Sequence, residues 1–337
     1  AWTPGAILIP PARLVVADWS HNVPGQPLVS AIIIFWNEEQ FIEDAIESVF
    51  GHTHAHWELL LVDDGSTDRS SEIARRYTEQ YPDKVRYLEH GGHENRGMSA
   101  ARNLGVRSAR GRYISYLDGD DIWLPTKLEE QVAIMESHPA ADMVLAPLLM
   151  WFSWTGNCQD RHLDQPYGVG RNGKHPYTDT LVEPPRLLAL FLRYEQYIPS
   201  GFLAKRDVME QIGEYEEQFR DAYSDAVALV KVCLKSPVYV SSKRWYRYRK
   251  HTASNTYLSR LHGKEDEEQQ IYLNWVAAYF NQQKVQDPEL LKIINKMLFR
   301  CRHPRLRSLE RNLFYYTDKA FHYVKRIFWF LINLQRQ

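Results

Sequence analysis

The sequence predicts an α/β protein built on a doubly wound, mostly parallel sheet, with a helical C-terminal extension. Three observations lead there. Apolar runs and helical spacings alternate over roughly 120 residues, the pattern of strands joined by crossover helices. The first apolar runs are almost unbroken, as in strands covered on both faces. From about Asp266 onward the spacing is helical throughout.

Bulk properties set the limits. The chain has 337 residues, 44% of them hydrophobic and 25% charged, so it can bury one large domain plus an appended piece. A formal net charge of -1 gives no reason to expect a nucleic-acid partner. Three separated cysteines, Cys158, Cys233 and Cys301, form no C-x-x-C pair, which argues against a structural zinc site and fits a reducing, cytoplasmic setting. Residues 1–27 read as a leader or linker, interrupted by Pro4, Pro10 and Pro11 and lacking the basic start of a signal peptide. The chain begins without Met, as a fragment of a longer protein would. No apolar run reaches the length of about 18 residues needed for a spanning helix.

Each element has its own signal. Val29 to Trp36 is an apolar run and reads as the first strand. Glu38 to Phe50 places Phe41, Ile42, Ala45, Ile46 and Val49 on one helical face. Trp57 to Val62 is the second strand, and Thr67 to Tyr81 a helix stopped by Pro82. Val85 to Leu88 is a short strand, Ser99 to Ala109 a helix, and Tyr113 to Leu117 the fourth strand. Leu124 to Ser137 is a helix, and Met143 to Leu145 a further strand. Residues 151–185 read as irregular. Pro185 to Tyr197 and Ser224 to Leu234 read as helices, with Gly201 to Lys205 a strand between them.

In open parallel sheets, ligands bind beyond the carboxyl ends of the strands. Here those ends are followed by Asn37-Glu38-Glu39, by Asp63-Asp64-Gly65-Ser66-Thr67-Asp68 and by Asp118-Gly119-Asp120-Asp121. So many carboxylates on one edge require cations or hydrogen-bond donors. Asp118-x-Asp120 suits Mg²⁺ or Mn²⁺, which take one or two carboxylates together with substrate phosphates. Taken alone, it reads first as an acidic surface turn after a strand. Asp63-Asp64-Gly65-Ser66 suits either a nucleobase contact at a helix start or an ordinary N-cap turn. His52-x-His54-x-His56 has the look of a metal comb but lies in a loop before the second strand, and no zinc is predicted there.

Together these segments resemble the inverting family 2 glycosyltransferases of the GT-A fold, whose sheet is Rossmann-like. The matching residues run from Ile33 to Glu39, from Val62 to Asp68, from Asn95 to Asn103 and from Tyr116 to Asp121, all within residues 28–147. The resemblance implies a glycosyltransferase domain over 28–255, with a nucleotide-sugar half at 28–147 and an acceptor half at 148–255. Residues 256–337 would form a basic helical extension.

The resemblance also implies site roles. Nucleotide-sugar contacts fall to Trp36, Glu38, Asp63, Asp64, Arg102, Asp118 and Gly119, with Asp64 on the base, Trp36 lining its pocket and Arg102 supporting the acidic cluster or the diphosphate. Trp36 stands where the family more often has Tyr. Asp120 becomes the metal ligand, with Asp118 beside it, and the cofactor is Mn²⁺ or Mg²⁺. The catalytic base falls on Asp225, with Ser224 replacing the glutamate usual before it and Asp221 the nearby competitor. A helix cap is the other reading of Asp225. His251, in Tyr248-Arg249-Lys250-His251, resembles a family histidine that approaches metal or phosphates, and it could equally be a loop residue. Arg244-Trp245 resembles part of a processive-synthase motif, but the remainder is missing, so processivity is not expected.

The expected reaction is transfer from a nucleotide sugar, a UDP-sugar in the first instance, to a glycan, lipid-linked or protein hydroxyl. The alternative is a catalytically silent domain of the same fold that binds nucleotide sugar or a partner. A nucleotidyltransferase is disfavoured, because the loop after the first strand is acidic and would repel a triphosphate. Between Gln286 and Gln337 basic residues outnumber acidic ones. The stretch Phe314 to Leu334 reads as an amphipathic helix that either lies on an anionic membrane or packs on protein.

Overall fold

The structure, a computed structural model, describes residues 25–168, 176–194, 201–213 and 215–303. Most of the leader, and the stretch Phe314 to Leu334, lie outside the described residues. β1 (Val29–Phe35), β2 (Trp57–Asp63), β3 (Val85–Glu89) and β4 (Tyr113–Asp118) form the parallel half of an eight-stranded sheet in the order β3-β2-β1-β4. The sheet continues past β4 through β10 (Leu203–Lys205), β6 (Met143–Leu145), β11 (Val238–Val240) and β9 (Thr180–Val182). β10 runs antiparallel to both of its neighbours, while β6 and β11 are parallel. This is the GT-A architecture. One continuous sheet therefore crosses the boundary expected at 147/148.

Burial explains why the first strands are so legible. Every residue of β1 and β2 is buried, so both faces had to be apolar. Each fully buried Ile, Leu or Val contributes about 1.5–3 kcal/mol. The helices α1 (Ile42–Phe50), α2 (Ser70–Gln80), α3 (Met98–Ser108) and α4 (Lys127–Ser137) carry the crossovers. α1 and α2 begin three or four residues later than the sequence predicted, because Glu38 to Phe41 and Thr67 to Arg69 are spent in turns at the sheet edge. α3 packs on β1 so closely that a Cβ at Gly105 would lie 2.6 Å from Ile32 Cγ2.

Further elements follow: α5 (Arg186–Tyr194), α6 (Arg206–Gln211) and α7 (Ser224–Lys235). The extension is α8 (Asn255–Leu261), α9 (Glu265–Gln282) and α10 (Pro288–Arg302). α9 seats Tyr272, Leu273, Val276 and Phe280 in the main core, and α10 adds Leu290 and Ile294. Among the described residues, no helix is long and apolar enough to cross a membrane.

A second sheet, in the order β5-β12-β7-β8, differs from the sequence expectation. It consists of β5 (Ile122–Trp123), β12 (Tyr246–Arg249), β7 (Leu148–Trp151) and β8 (Gln165–Tyr167). The region read as irregular thus contributes β8 and β9 in short pieces. These strands are brief, and β12 alternates Tyr with Arg, so apolar periodicity has nothing to register.

The three histidines of the comb each bond a backbone carbonyl: His52 Nδ1 to Pro125 (2.9 Å), His54 Nε2 to Pro27 (3.2 Å) and His56 Nδ1 to Gln26 (2.7 Å). They fasten the incoming chain and α4. Burial, followed by the nearby Lys127, pushes the His52 imidazole down from 6.5 to about 3. Its neutral form is therefore the one the fold accepts. Between those two values the unfolded chain binds more protons, so the contribution is complete above 6.5 and is lost as pH falls towards 3. Chemical denaturation at pH 7 and pH 4.5 should show a smaller acid loss in His52→Asn than in the wild type. Equal losses would remove His52 as a source.

Candidate active site

The carboxyl ends of β1, β2 and β4 lie side by side, with Phe35 opposite Asp63 and Ile34 opposite Asp118. They open into a cavity of about 650 Å³. Of the residues named from sequence, Trp36, Glu38, Asp64, Arg102, Asp118, Gly119, Asp120 and Asp225 line it. Asp63 and His251 stand behind its wall.

The loop after β1 is laced to the loop after β2. The Asn37 N–H donates to Ser66 Oγ (3.1 Å), and Asn37 Oδ1 accepts from the Thr67 N–H (2.7 Å). The Glu38 N–H donates to Ser70 Oγ (2.8 Å) and the Glu39 N–H to Asp68 Oδ2 (3.0 Å). This lacing leaves Trp36 at the mouth of the cavity with 45% of its surface exposed, available as a stacking face.

The paired aspartates divide their work. Asp63 is fully buried, and its carboxylate accepts from the Ser66 N–H (2.8 Å), the Tyr87 hydroxyl (2.8 Å) and the Ser71 hydroxyl. It holds the turn and faces no ligand space. Asp64 is on the wall, where the backbone N–H groups of Arg96 and Gly97 donate to it, each at 2.8 Å. Burial raises the Asp64 pKa, and these N–H bonds oppose the rise. Two glycines make the approach possible. Gly65 (φ +79°) lies against the backbone of Asn95, and Gly97 (φ +89°) lies against Arg220, so a Cβ at either position would fall within 3 Å of a neighbour.

Asp118 receives Arg102 Nη2 at 2.9 Å, a guanidinium almost wholly enclosed. Gly119 packs on β1, where a Cβ would lie 2.8 Å from Phe35 Cβ. The Asp120 Oδ2 lies 2.9 Å from His251 Nε2. Asp121, quoted in the motif but given no role from sequence, is fully buried and accepts from the Arg249 N–H (2.6 Å) and the Tyr246 hydroxyl. Crowding shows in the protonation of the cluster. Burial first, and then Asp120 and Asp118, push Glu38 up to about 9 and Asp121 well above the carboxylate range.

Asp225 sits in the first turn of α7, its Oδ1 accepting from the Ala226 N–H (2.9 Å) while its side chain lines the cavity. Tyr223 caps that helix in a left-handed conformation (φ 63°). Ser224, at the departure from the family pattern, is buried and bonded to the hydroxyl of Ser99 (2.8 Å). Asp221 also lines the cavity. No sequence pattern marks Arg220, which lines the wall and donates to Asn95 O and Oδ1 (2.9 Å each).

A divalent cation fits this donor set. Among the described residues no three His, Cys, Asp or Glu side chains stand in ligating geometry. The hard oxygens of Asp118 and Asp120 border open cavity, and His251 reaches Asp120 from behind the wall through Nε2. Mg²⁺-type sites are completed by substrate phosphates, so an unfinished protein shell is what such an ion uses.

Residues 30–161 match the model of glycosyl transferase family 2. Over 133 residues the chain is 39% identical to the protein named as teichuronic acid biosynthesis glycosyltransferase TuaG of Bacillus subtilis, covering 39% of this chain and 47% of TuaG. Over 125 residues it is 35% identical to the glycosyltransferase EpsE of the same species, covering 37% and 44%. The chain thus matches less than half the length of either relative. The fold is shared with residues 1–349 of S. aureus TarS in complex with UDP-GlcNAc (TM-score 0.53, 18% identity, 83% of each chain). It is shared too with the mannosyltransferase PcManGT of Pyrobaculum calidifontis in complex with GDP-Man and Mn²⁺ (TM-score 0.53, 18% identity, 84% of this chain and 71% of that one).

Glu38 yields a prediction for the metal-free protein. Its folded pKa lies above the 4.5 of the unfolded chain, so the group favours the fold below 4.5 and loses that contribution as pH rises towards 9. Glu38→Gln should flatten the stability profile between pH 5 and pH 9 in denaturant titrations. A profile as steep as the wild type's would place the slope elsewhere.

Proposed function

We propose that this chain, whose residues 30–161 match the model of glycosyl transferase family 2, transfers a sugar from a nucleotide-diphosphate donor, a UDP-sugar, to a hydroxyl acceptor with inversion. The observation that carries this reading is the single cavity in which Asp64, Asp118, Asp120 and Asp225 converge with Trp36 and Arg102. Asp64 accepts from the nucleobase N–H, and Trp36 stacks on the base. Arg102 fixes Asp118 where it meets the ribose or the cation. Asp120, with Asp118 and His251, would hold Mn²⁺ or Mg²⁺. When bound, that ion neutralises the charge of the departing diphosphate as a Lewis acid.

Asp225 acts as the general base. It takes the proton of the acceptor hydroxyl while that oxygen attacks the anomeric carbon from the face opposite the diphosphate. Its place on the wall, at the start of a helix anchored through buried Ser224, supports this role. The same Ser224, standing where a glutamate is usual, favours the second reading of a silent nucleotide-sugar-binding domain. The acceptor is a glycan, lipid-linked or protein hydroxyl. Support for donor and cation comes from TarS with UDP-GlcNAc and from PcManGT with GDP-Man and Mn²⁺.

Residues 28–147 serve the donor and 148–255 the acceptor. The exposed Lys292, Lys296 and Phe299 on α10 support peripheral contact with a membrane. Three free thiols support a reducing, cytoplasmic workplace.

Two variants separate the roles. Asp120→Ala should abolish the Mn²⁺-dependent part of UDP affinity in calorimetry; affinity unchanged in Mn²⁺ and in EDTA would remove Asp120 from the site. Asp225→Asn should retain donor binding and lose transfer by about 10²-fold or more. An active variant would move the base to Asp221.

A further inference from the structure

We propose that Arg249 is a positioning residue that sets the aim of the Asp120 carboxylate and thereby the affinity for the divalent cation. The proposal rests on the reading of the cavity as a metal-assisted donor site. Arg249 Nε donates to the backbone oxygen of Asp120 at 2.7 Å, and its own N–H donates to Asp121 Oδ1 at 2.6 Å. One residue thus grips the Asp120 carbonyl and the Asp121 carboxylate, the two groups flanking the Asp120 side chain in this turn. On the outer side, Nη2 reaches Asp44 of α1 at 2.9 Å.

The guanidinium is 96% enclosed, and Phe41, Trp151 and Trp154 hold their rings 4.7, 4.9 and 5.3 Å from its carbon. A rigid fork in an aromatic box loses little freedom when it forms two directed bonds. Lysine offers a point charge that cannot serve Asp44 and the Asp120 carbonyl with the same geometry. Groups that orient metal ligands without touching the metal commonly change affinity by roughly 10- to 100-fold.

The test is calorimetric titration of UDP in Mn²⁺ and in EDTA for the wild type, Arg249→Lys and Asp44→Asn, with melting temperatures recorded alongside. Arg249→Lys keeps a cation in the aromatic box. It should weaken Mn²⁺-dependent UDP binding by roughly 10- to 100-fold and leave EDTA binding unchanged, with a lower melting temperature from the lost fork bonds. Unchanged Mn²⁺ dependence overturns the proposal, as does a parallel fall in both conditions, which would mark Arg249 as a support for the fold. Should that variant fail to fold, Asp44→Asn decides. Asp44 is 60% exposed, so the fold stands without it, and a roughly two- to fivefold loss confined to Mn²⁺ is expected. No loss there overturns the proposal. A wild type without Mn²⁺-dependent binding would overturn the donor-site reading itself, and this proposal with it.

Discussion

Repulsion among carboxylates at one sheet edge is the constraint around which the rest of this structure is arranged. At a separation of 4 Å and an effective dielectric of 20, two like charges oppose each other by about 4 kcal/mol. Asp63, Asp64, Asp118, Asp120 and Asp121 are brought to that edge by three parallel strands. Each is met by a different donor: Asp63 by Ser66, Ser71 and Tyr87, Asp64 by two backbone N–H groups, Asp118 by Arg102, Asp120 by His251, and Asp121 by Tyr246 and the Arg249 N–H. Glu38 receives no such donor among the described residues, and burial with Asp120 and Asp118 pushes its pKa up to about 9. The small second sheet follows from the same need, since β12 delivers Tyr246 and Arg249 and leads directly into His251. On the reading proposed above, a cation and a diphosphate brought together would complete what these donors leave open.

Much of this was legible in the sequence because burial on two faces leaves a plain mark. Val29 to Phe35 and Trp57 to Val62 could be strands only if covered on both sides, and the carboxylates after them then had to share an edge. The order Asp64, Asp118, Asp120, Asp225 along the chain translated into one cavity. The partition between Asp63 and Asp64 was not legible, because adjacent residues in a turn diverge and composition does not say which one turns inward. Asp64 reaches the cavity only because Gly65 and Gly97 permit close backbone approach.

What escaped the sequence reading was carried by tertiary pairing. Arg249 lies 129 positions along the chain from Asp120, and its aromatic box draws on Phe41 and on Trp151 and Trp154 in the stretch read as irregular. Arg220 approaches Asn95 across 125 positions. No local periodicity encodes such partners. The one available signal was indirect: Tyr246 to His251 is aromatic and basic where a solvent-facing strand would be merely polar. The extension α9 and α10 was legible as helix, but its seating of Tyr272 and Phe280 in the main core was not.

The central claim is that this edge holds a cation and a nucleotide diphosphate together. Anomalous diffraction at the manganese edge, from crystals soaked with UDP and Mn²⁺, tests it most directly. The account predicts one peak in direct coordination with the Asp120 carboxylate and the diphosphate, with the uracil against Trp36 and Asp64. A nucleotide bound without a peak at Asp120, or manganese bound elsewhere, would contradict it.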